Sequence, residues 1–352
     1  MNEQGGRPLF SVIIPTRNRA SLLPVALQSV LDQRFGAFET IVVDDGSSEE
    51  HALRYRALLK SVPNKVRQLT LVRTERGHGP SYVLNFGSAH ALGEYLCFLD
   101  DDDQWTDPEH LARVARVIAA SPYQVDLVLA NQKAFRGGVP IERTVWIEDL
   151  QDRLKNAPDA TGAYTVTAAE LLLCQAHCHL NTTIVLRDFY MQIGGLDEGI
   201  RYEGDRDFFL RAIDRARLIR FLPNTVSRHN IPDPAAGTSE STAESALSKR
   251  LSQLRVLDKA VLFTTRPELR SYAMRHRLYT LEHIATEALR AGRADCAAYY
   301  GREARMAKLA LGWSGILRQL GLRRYFDSVP ARDTRERADA QRPGGHQQRG
   351  DC

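Results

Sequence analysis

The sequence contains no run approaching the roughly 18 consecutive apolar residues that a membrane-spanning helix needs, and its first segment, Met1 to Pro8, is polar and has no apolar stretch of signal-peptide type. Cysteine is scarce: the five present (Cys97, Cys174, Cys178, Cys296, Cys352) are odd in number and scattered, which argues against a disulfide framework. These absences predict a cytoplasmic protein with reduced thiols, and Cys97, inside an apolar run, reads as core packing. A strong charge of one sign is also missing. The net charge of +4 gives no ground for a nucleic-acid partner. What stands out is placement, with acids gathered near Asp100 and arginines crowding the last fifth of the chain. At 352 residues and 43% apolar content, the chain can bury one large domain and a smaller appendage.

The first half alternates short apolar runs with helical patterns. Strands are expected at Phe10 to Ile14, Thr40 to Val43, Leu69 to Val72, Tyr95 to Leu99 and Val125 to Ala130. Between them, Ser21 is placed to cap a helix whose apolar positions Leu23, Ala26, Leu27, Val30 and Leu31 fall on one face, and further helices follow around Leu53 to Leu59 and Ser81 to Ala91. Asp107-Pro108 reads as a cap with proline at the first helical position, opening a helix over Glu109 to Ala119. This alternation predicts an α/β fold with a mostly parallel sheet flanked by helices. Residues 231–245 lie in a stretch rich in Pro, Gly, Ser and Ala that reads as a loop or lid, residues 246–326 form a C-terminal helical extension, and residues 327–352 are expected to be disordered.

Ligands of such sheets sit beyond the carboxyl ends of the strands. Three polar segments fall there: Thr16-Arg17-Asn18, Asp44-Asp45, and the run Asp100 to Asp103. Four adjacent aspartates repel one another unless something positive neutralises them, and a divalent cation held by carboxylates and substrate phosphates does so. The alternative is a solvated acidic turn capping the next helix.

Several segments resemble the family 2 glycosyltransferases of the GT-A, or nucleotide-diphospho-sugar transferase, fold. They are Ser11-Val12-Ile13-Ile14-Pro15-Thr16-Arg17-Asn18-Arg19, Ile41-Val42-Val43-Asp44-Asp45-Gly46-Ser47-Ser48, and Gly93 through Asp103 with Trp105. Gly194-Gly195-Leu196-Asp197-Glu198 and Gly204-Asp205-Arg206-Asp207-Phe208-Phe209-Leu210-Arg211 continue the match, which spans residues 9–230, with residues 1–8 as a tail. The resemblance implies an inverting, metal-dependent hexosyl- or N-acetylhexosaminyl-transferase. It places Pro15, Thr16, Arg17 and Asp45 at the nucleotide, usually uridine, with Asp44 supporting the turn. It places Asp101 at the ribose and Asp102 on Mn2+ or Mg2+, with Asp100 helping both, and Asp205 as the base that activates the acceptor. The family's glutamate before that base is replaced by Gly204, and its arginine before Asn85 by Leu84, so Arg76 or His78 becomes the candidate for the diphosphate.

The chemistry itself needs positive charge on the leaving diphosphate and one base on the opposite face of the sugar, which gives inversion. His229 is a further candidate to reach the metal or the diphosphate as a lid closes, or else a surface or packing residue. Cys174, His177, Cys178 and His179 crowd one segment but fit no standard zinc spacing on what reads as a helix end; packing or acceptor contacts are expected instead. Asp197 and Glu198 read as a tight turn or an acceptor contact. Leu289 to Tyr300 reads as a helix–turn–helix hairpin. The stripe Met306, Leu309, Trp313, Ile316, Leu317 and Leu320, ringed by Arg305, Lys308, Arg318, Arg323 and Arg324, fits either peripheral membrane contact or packing. The acceptor is left open among glycan, lipid-linked and protein molecules. Rival readings are a non-catalytic nucleotide-sugar-binding protein and a sugar-1-phosphate nucleotidyltransferase; the latter requires a Gly-rich phosphate loop that Pro15 to Arg19 lacks.

Overall fold

The computed structural model describes residues 6–232 and 245–319, with side chains through Gly312. The first strand, β1 (Phe10–Thr16), is apolar on both faces and almost wholly buried, as a strand with helices above and below must be. α1 (Leu23–Leu31) starts with Leu22 as its cap residue and Pro24 in the first turn, so Ser21 plays no capping part. β2 (Phe38–Asp44), α2 (Glu49–Lys60), β3 (Val66–Thr70), α3 (Pro80–Ala89) and β4 (Tyr95–Phe98) continue the alternation. The third strand thus begins before the apolar run Leu69 to Val72 and ends within it, because that edge strand pairs through its backbone with Thr40 to Asp44 and is only half buried. Gly87 lets α3 lie close on the sheet, since a Cβ there would come within 2.7 Å of Ile13 Cγ2.

β5 (Gln104–Trp105) and α4 (His110–Ala120) follow the aspartate run. Asp107 is not the cap residue of α4: Glu109 is, and the Asp107 carboxylate accepts from Glu109 N at 3.0 Å and pairs with Arg113. β6 (Leu127–Arg136), β7 (Val139–Pro140), β8 (Tyr164–Val166), α5 (Ala168–Leu171), β9 (Thr183–Leu186), α6 (Arg187–Gln192), α7 (Gly204–Arg215) and β10 (Ile219–Asn230) complete the sheet region. The ten strands run in the order β3-β2-β1-β4-β9-β6-β10-β5, with β7 on β6 and β8 on β10. β3, β2, β1 and β4 are mutually parallel, as are β6 and β10; β9 enters between them antiparallel. The ends of β1, β2 and β4 and the segment before β9 therefore meet on one rim.

Three helices follow: α8 (Ala246–Phe263), α9 (Pro267–Arg290) and α10 (Ala294–Gln319), with Gly292 at φ +70° turning the chain between the last two. The chain divides into two compact units, Met1–Ala304 and Arg305–Cys352. The first holds the sheet, α1 to α9 and the start of α10. In the second, Met306 and Leu309 are exposed on α10; the side chains of Trp313, Ile316 and Leu317, and Leu320, Arg323 and Arg324 altogether, lie outside the described residues. So do most of the expected lid (233–244) and the whole of 327–352. Cys97, Cys174, Cys178 and Cys296 are free thiols, the first three buried. No described helix is long and apolar enough to cross a membrane.

Candidate functional site

The aspartate run turns sharply at the end of β4, where Asp103 N donates to Asp100 O at 3.1 Å. Asn181, just ahead of β9, clamps this turn from both ends: its Oδ1 accepts from Asp100 N at 3.0 Å and its Nδ2 donates to Asp103 Oδ2 at 2.5 Å. The four carboxylates then part company. Asp101 is buried and accepts from Thr16 Oγ1 at 2.7 Å and Arg19 Nη1 at 2.8 Å. Asp102 accepts from the same Arg19 nitrogen at 3.1 Å. Asp103, also buried, accepts from His229 Nδ1 at 2.8 Å and from Asn230 N at 2.6 Å. Oxygens of Asp100, Asp102 and Asp103 lie within 4.8 Å of one another.

That crowding has an electrostatic signature. Partial withdrawal from water, then the charges of Asp103 and Asp102, push the Asp100 carboxyl well above its ordinary range. The same causes, desolvation first and Asp103 second, bring Asp102 up to about 6 against the pull of Arg19. Desolvation works against the charge on His229, but its hydrogen bond to Asp103 and the surrounding carboxylates raise it above the usual imidazole value. A hard divalent cation suits this donor set, because carboxylates that repel when empty become ligands when one binds. His229 reaches the group from within strand β10, so no lid closure is needed to deliver it.

Asp205 faces this group across the rim from the first turn of α7. Its Oδ2 accepts from His177 Nε2 at 2.8 Å, and its Oδ1 from Arg206 N at 2.8 Å. Burial alone would raise its carboxyl, but the pairing with His177, the nearby His179 and the helix N–H hold it well below the usual carboxylate range. His177 lies in the irregular segment after α5, which stops at Leu171, while His179 caps the short 3-10 turn Leu180–Thr182 that leads into β9. His179 Nδ1 accepts from Asn181 N at 3.3 Å, which leaves Nε2 to carry the proton. That nitrogen stands 3.9 Å from Asp100 Oδ2 and 4.0 Å from Asp205 Oδ2, midway between the two acidic centres. Trp146 packs edge-on to His177 and His229 and tilted on His179, with ring centroids 4.9 to 5.6 Å apart.

The nucleotide-side candidates gather at the ends of β1 and β2. Arg17 Nη2 donates to Thr74 O and Glu75 O, both at 3.0 Å, and its Nη1 lies 3.8 Å from Asp45 Oδ2. Asp45 accepts from His78 N at 2.9 Å and His78 Nδ1 at 2.7 Å, and from Gly79 N at 3.3 Å, so a nucleobase N–H has to compete with this loop. His78 is thereby committed to Asp45, while Arg76 is exposed. Asp44 Oδ1 accepts from Ser47 N at 3.0 Å and shapes the turn whose Gly46 sits at φ +64°. Pro15, the penultimate residue of β1, is half-buried. Asp197 and Glu198 belong to a turn: Asp197 accepts from Gly199 N and pairs with Lys259, and Glu198 accepts from Asn85 Nδ2 at 2.9 Å.

Residues 11–172 match the family described as "Glycosyl transferase family 2". An "Uncharacterized glycosyltransferase" of Haemophilus influenzae is 25% identical over 205 residues, covering 58% of this chain and 62% of that protein. A "PGL/p-HBAD biosynthesis glycosyltransferase" of Mycobacterium bovis is 28% identical over 248 residues, covering 69% and 84%. The chain thus spans less than two thirds of the first relative and most of the second. Among solved structures, S. aureus TarS 1-349 in complex with UDP-GlcNAc superposes with a TM-score of 0.55 at 17% identity, over 84% of this chain and 91% of that one. The mannosyltransferase PcManGT from Pyrobaculum calidifontis, in complex with GDP-Man and Mn2+, gives 0.54 at 17% identity over 92% and 89%. At such identities the likeness is one of fold.

Proposed function

We propose that this chain, whose residues 11–172 match the family 2 glycosyltransferases and which has the GT-A fold, transfers a hexosyl or N-acetylhexosaminyl group from a nucleoside-diphosphate donor, a UDP-sugar, to an acceptor hydroxyl with inversion. The observation that carries this reading is the pair of acidic centres facing each other across one rim, with His179 Nε2 about equally far from both. Support for the donor class comes from the structural neighbours, which hold UDP-GlcNAc and GDP-Man.

Asp100 and Asp102, with His229 oriented by Asp103, are the groups that would hold Mn2+ or Mg2+, which when bound supplies positive charge for a leaving diphosphate. On the opposite side Asp205 takes the proton. As the acceptor oxygen forms its bond to the anomeric carbon, the bond to the diphosphate breaks and the electron pair leaves with the nucleotide. The acceptor's proton passes to the Asp205 carboxylate. A hydroxyl becomes strongly acidic only as that new bond forms, so a carboxylate held ionised by His177 takes the proton late rather than in advance. His177 fixes its orientation, and the Trp146 ring covers the histidines that stand between the centres. Thr16 and Arg19 hold Asp101 in place for the ribose side.

Asp205→Asn preserves shape and removes basicity. Transfer from a UDP-sugar should fall by on the order of a hundred- to ten-thousand-fold, while UDP affinity with manganese stays at the wild-type value. Near-wild-type transfer by this variant would move the base elsewhere, and a parallel loss of UDP binding would make Asp205 part of the donor site.

A further inference from the structure

A cleft of about 540 Å³ opens beside Asp205, between α9, the start of α7 and the segment after α5. That size suits one small carbohydrate unit. His177 lines it, and the same imidazole holds the Asp205 carboxylate. Glu203 and Arg206, which bracket Asp205 in sequence, also line it. The far wall is a single face of α9, because Tyr272, Arg275, His276 and Tyr279 recur at the three- and four-residue spacings that place side chains on one side of a helix.

The lining is aromatic and cationic at once. Tyr279 is 52% exposed, whereas Tyr272 is buried, its ring packed against His276 with centroids 4.0 Å apart. Flat aromatic faces flanked by hydrogen-bond donors are what a sugar ring meets in a binding site. Arg206 donates to Tyr272 Oη at 3.1 Å and to Glu203 Oε2 at 3.3 Å, and Glu203 also accepts from Gln253 at 2.9 Å. The one acidic lining residue is therefore already engaged. Among the described residues no carboxylate pairs with Arg275, which is exposed and lines the cleft. The local field agrees: burial, then the charges of Arg206 and Arg275, hold His276 down at about 4.

Resting on the reading of Asp205 as the base, we propose that this cleft is the acceptor subsite and takes a sugar bearing an anionic group, its ring on Tyr279 and its charge at Arg275. The helical extension is then part of the transferase and selects what is glycosylated.

The test uses the full chain and binding by calorimetry, so it needs no turnover. Methyl glucoside 6-phosphate, methyl glucuronide, neutral methyl glucoside and inorganic phosphate are each titrated, and UDP with manganese is titrated beside them. The charged sugars should bind at least about tenfold more tightly than the neutral one, and Arg275→Gln should erase that difference. Tyr279→Ala should weaken all three sugars about tenfold and leave inorganic phosphate unchanged. The ranking of phosphate against carboxylate identifies the anion. Thermal unfolding and UDP affinity matching wild type show that the variants are folded with the donor side intact. Equal binding of charged and neutral sugars, no binding of any, or an undiminished preference in Arg275→Gln overturns the proposal, as does inorganic phosphate binding as tightly as the sugar phosphate. Should the probes bind as expected while Asp205→Asn retains transfer, the subsite stands and the base assignment falls. Collapse of transfer in Asp205→Asn with no probe binding overturns the subsite alone.

Discussion

Asp102 shares one nitrogen of Arg19 with its neighbour Asp101, while one oxygen each of Asp100, Asp102 and Asp103 lies within 4.8 Å of the others, close enough to share a cation. Arg19 offsets part of the repulsion in the run, which lets the turn fold before any ion arrives. It cannot do the work of a second ligand, because a guanidinium only donates. Asp102→Ala should therefore keep the fold, leave Asp101 paired with Arg19, and remove the manganese-dependent increment in UDP affinity, measured by calorimetry with and without the metal. An increment of wild-type size in this variant would show the run to be a solvated acidic turn. Much at this scale was legible in the chain, since a polar cluster after each of β1, β2 and β4 had to meet on one rim once a parallel sheet was inferred. The His177–Asp205 pair was not. The two are 28 residues apart on segments with no shared periodicity, and only the path of the chain from α5 through β9 brings them together. Trp146 and Asn181 were missed for the same reason, as lone residues in irregular segments. The crowding of His177 and His179 is the one signal the sequence carries, and it points to packing or acceptor contacts without naming Asp205 as a partner.

At the scale of elements, the central strands were readable because burial on both faces makes them continuous apolar runs. Helix starts were less so, since Asp107 and Ser21 have the composition of caps without the geometry. α4 shows what replaces a cap there. Its first residue, His110, is buried, its ring meets Trp105 edge-on at 5.2 Å, and neither ring nitrogen has a hydrogen-bond partner. Desolvation, outweighing the attraction of Asp107, lowers its value from 6.5 to about 4. The sign follows from which state binds the proton. Above pH about 6.5 His110 is neutral whether folded or not, and stability is unaffected. As pH falls toward about 4 the unfolded chain protonates first, so stability is lost across that window, up to ~3 kcal/mol from this residue. His110→Leu should flatten the urea-denaturation stability profile between those pH values by about that amount. His179 and His276, both also lowered to about 4, would keep a residual slope. A profile as steep as wild type in His110→Leu would place the proton uptake elsewhere.

For the whole molecule, the question is whether the helices after residue 245 are an appendage or part of the catalytic body. The polar ties point one way. Asp207, wholly buried in α7, is held by Arg211 Nε at 2.8 Å and by Lys259 of α8 at 2.8 Å, and the same lysine reaches Asp197 at 2.7 Å. Asp214 accepts from Thr264 at 2.6 Å at the end of α8. These contacts lie inside the unit Met1–Ala304, together with the apolar residues Val256, Ala260, Leu269 and Ala273, which join the same core cluster as the strands. A sequence gives no hint of this, because Lys259 and Thr264 look like ordinary surface residues of an amphipathic helix. Lys259→Met keeps the stem and deletes the charge, leaving Asp207 with Arg211 alone. Losing one partner of a buried ion pair typically costs about 3–5 kcal/mol, and the remaining arginine should hold the loss to about 2 kcal/mol. Replacing Asp207 by Asn in the same chain should recover part of it, since the uncompensated charge is then gone. If the extension belongs to the body, the whole unit loses stability together. Hydrogen exchange in β1 and β2 should then accelerate in Lys259→Met in step with exchange in α8 and α9, through a single urea transition. Faster exchange confined to the two helices would instead make them a separate folding unit, merely docked on the sheet.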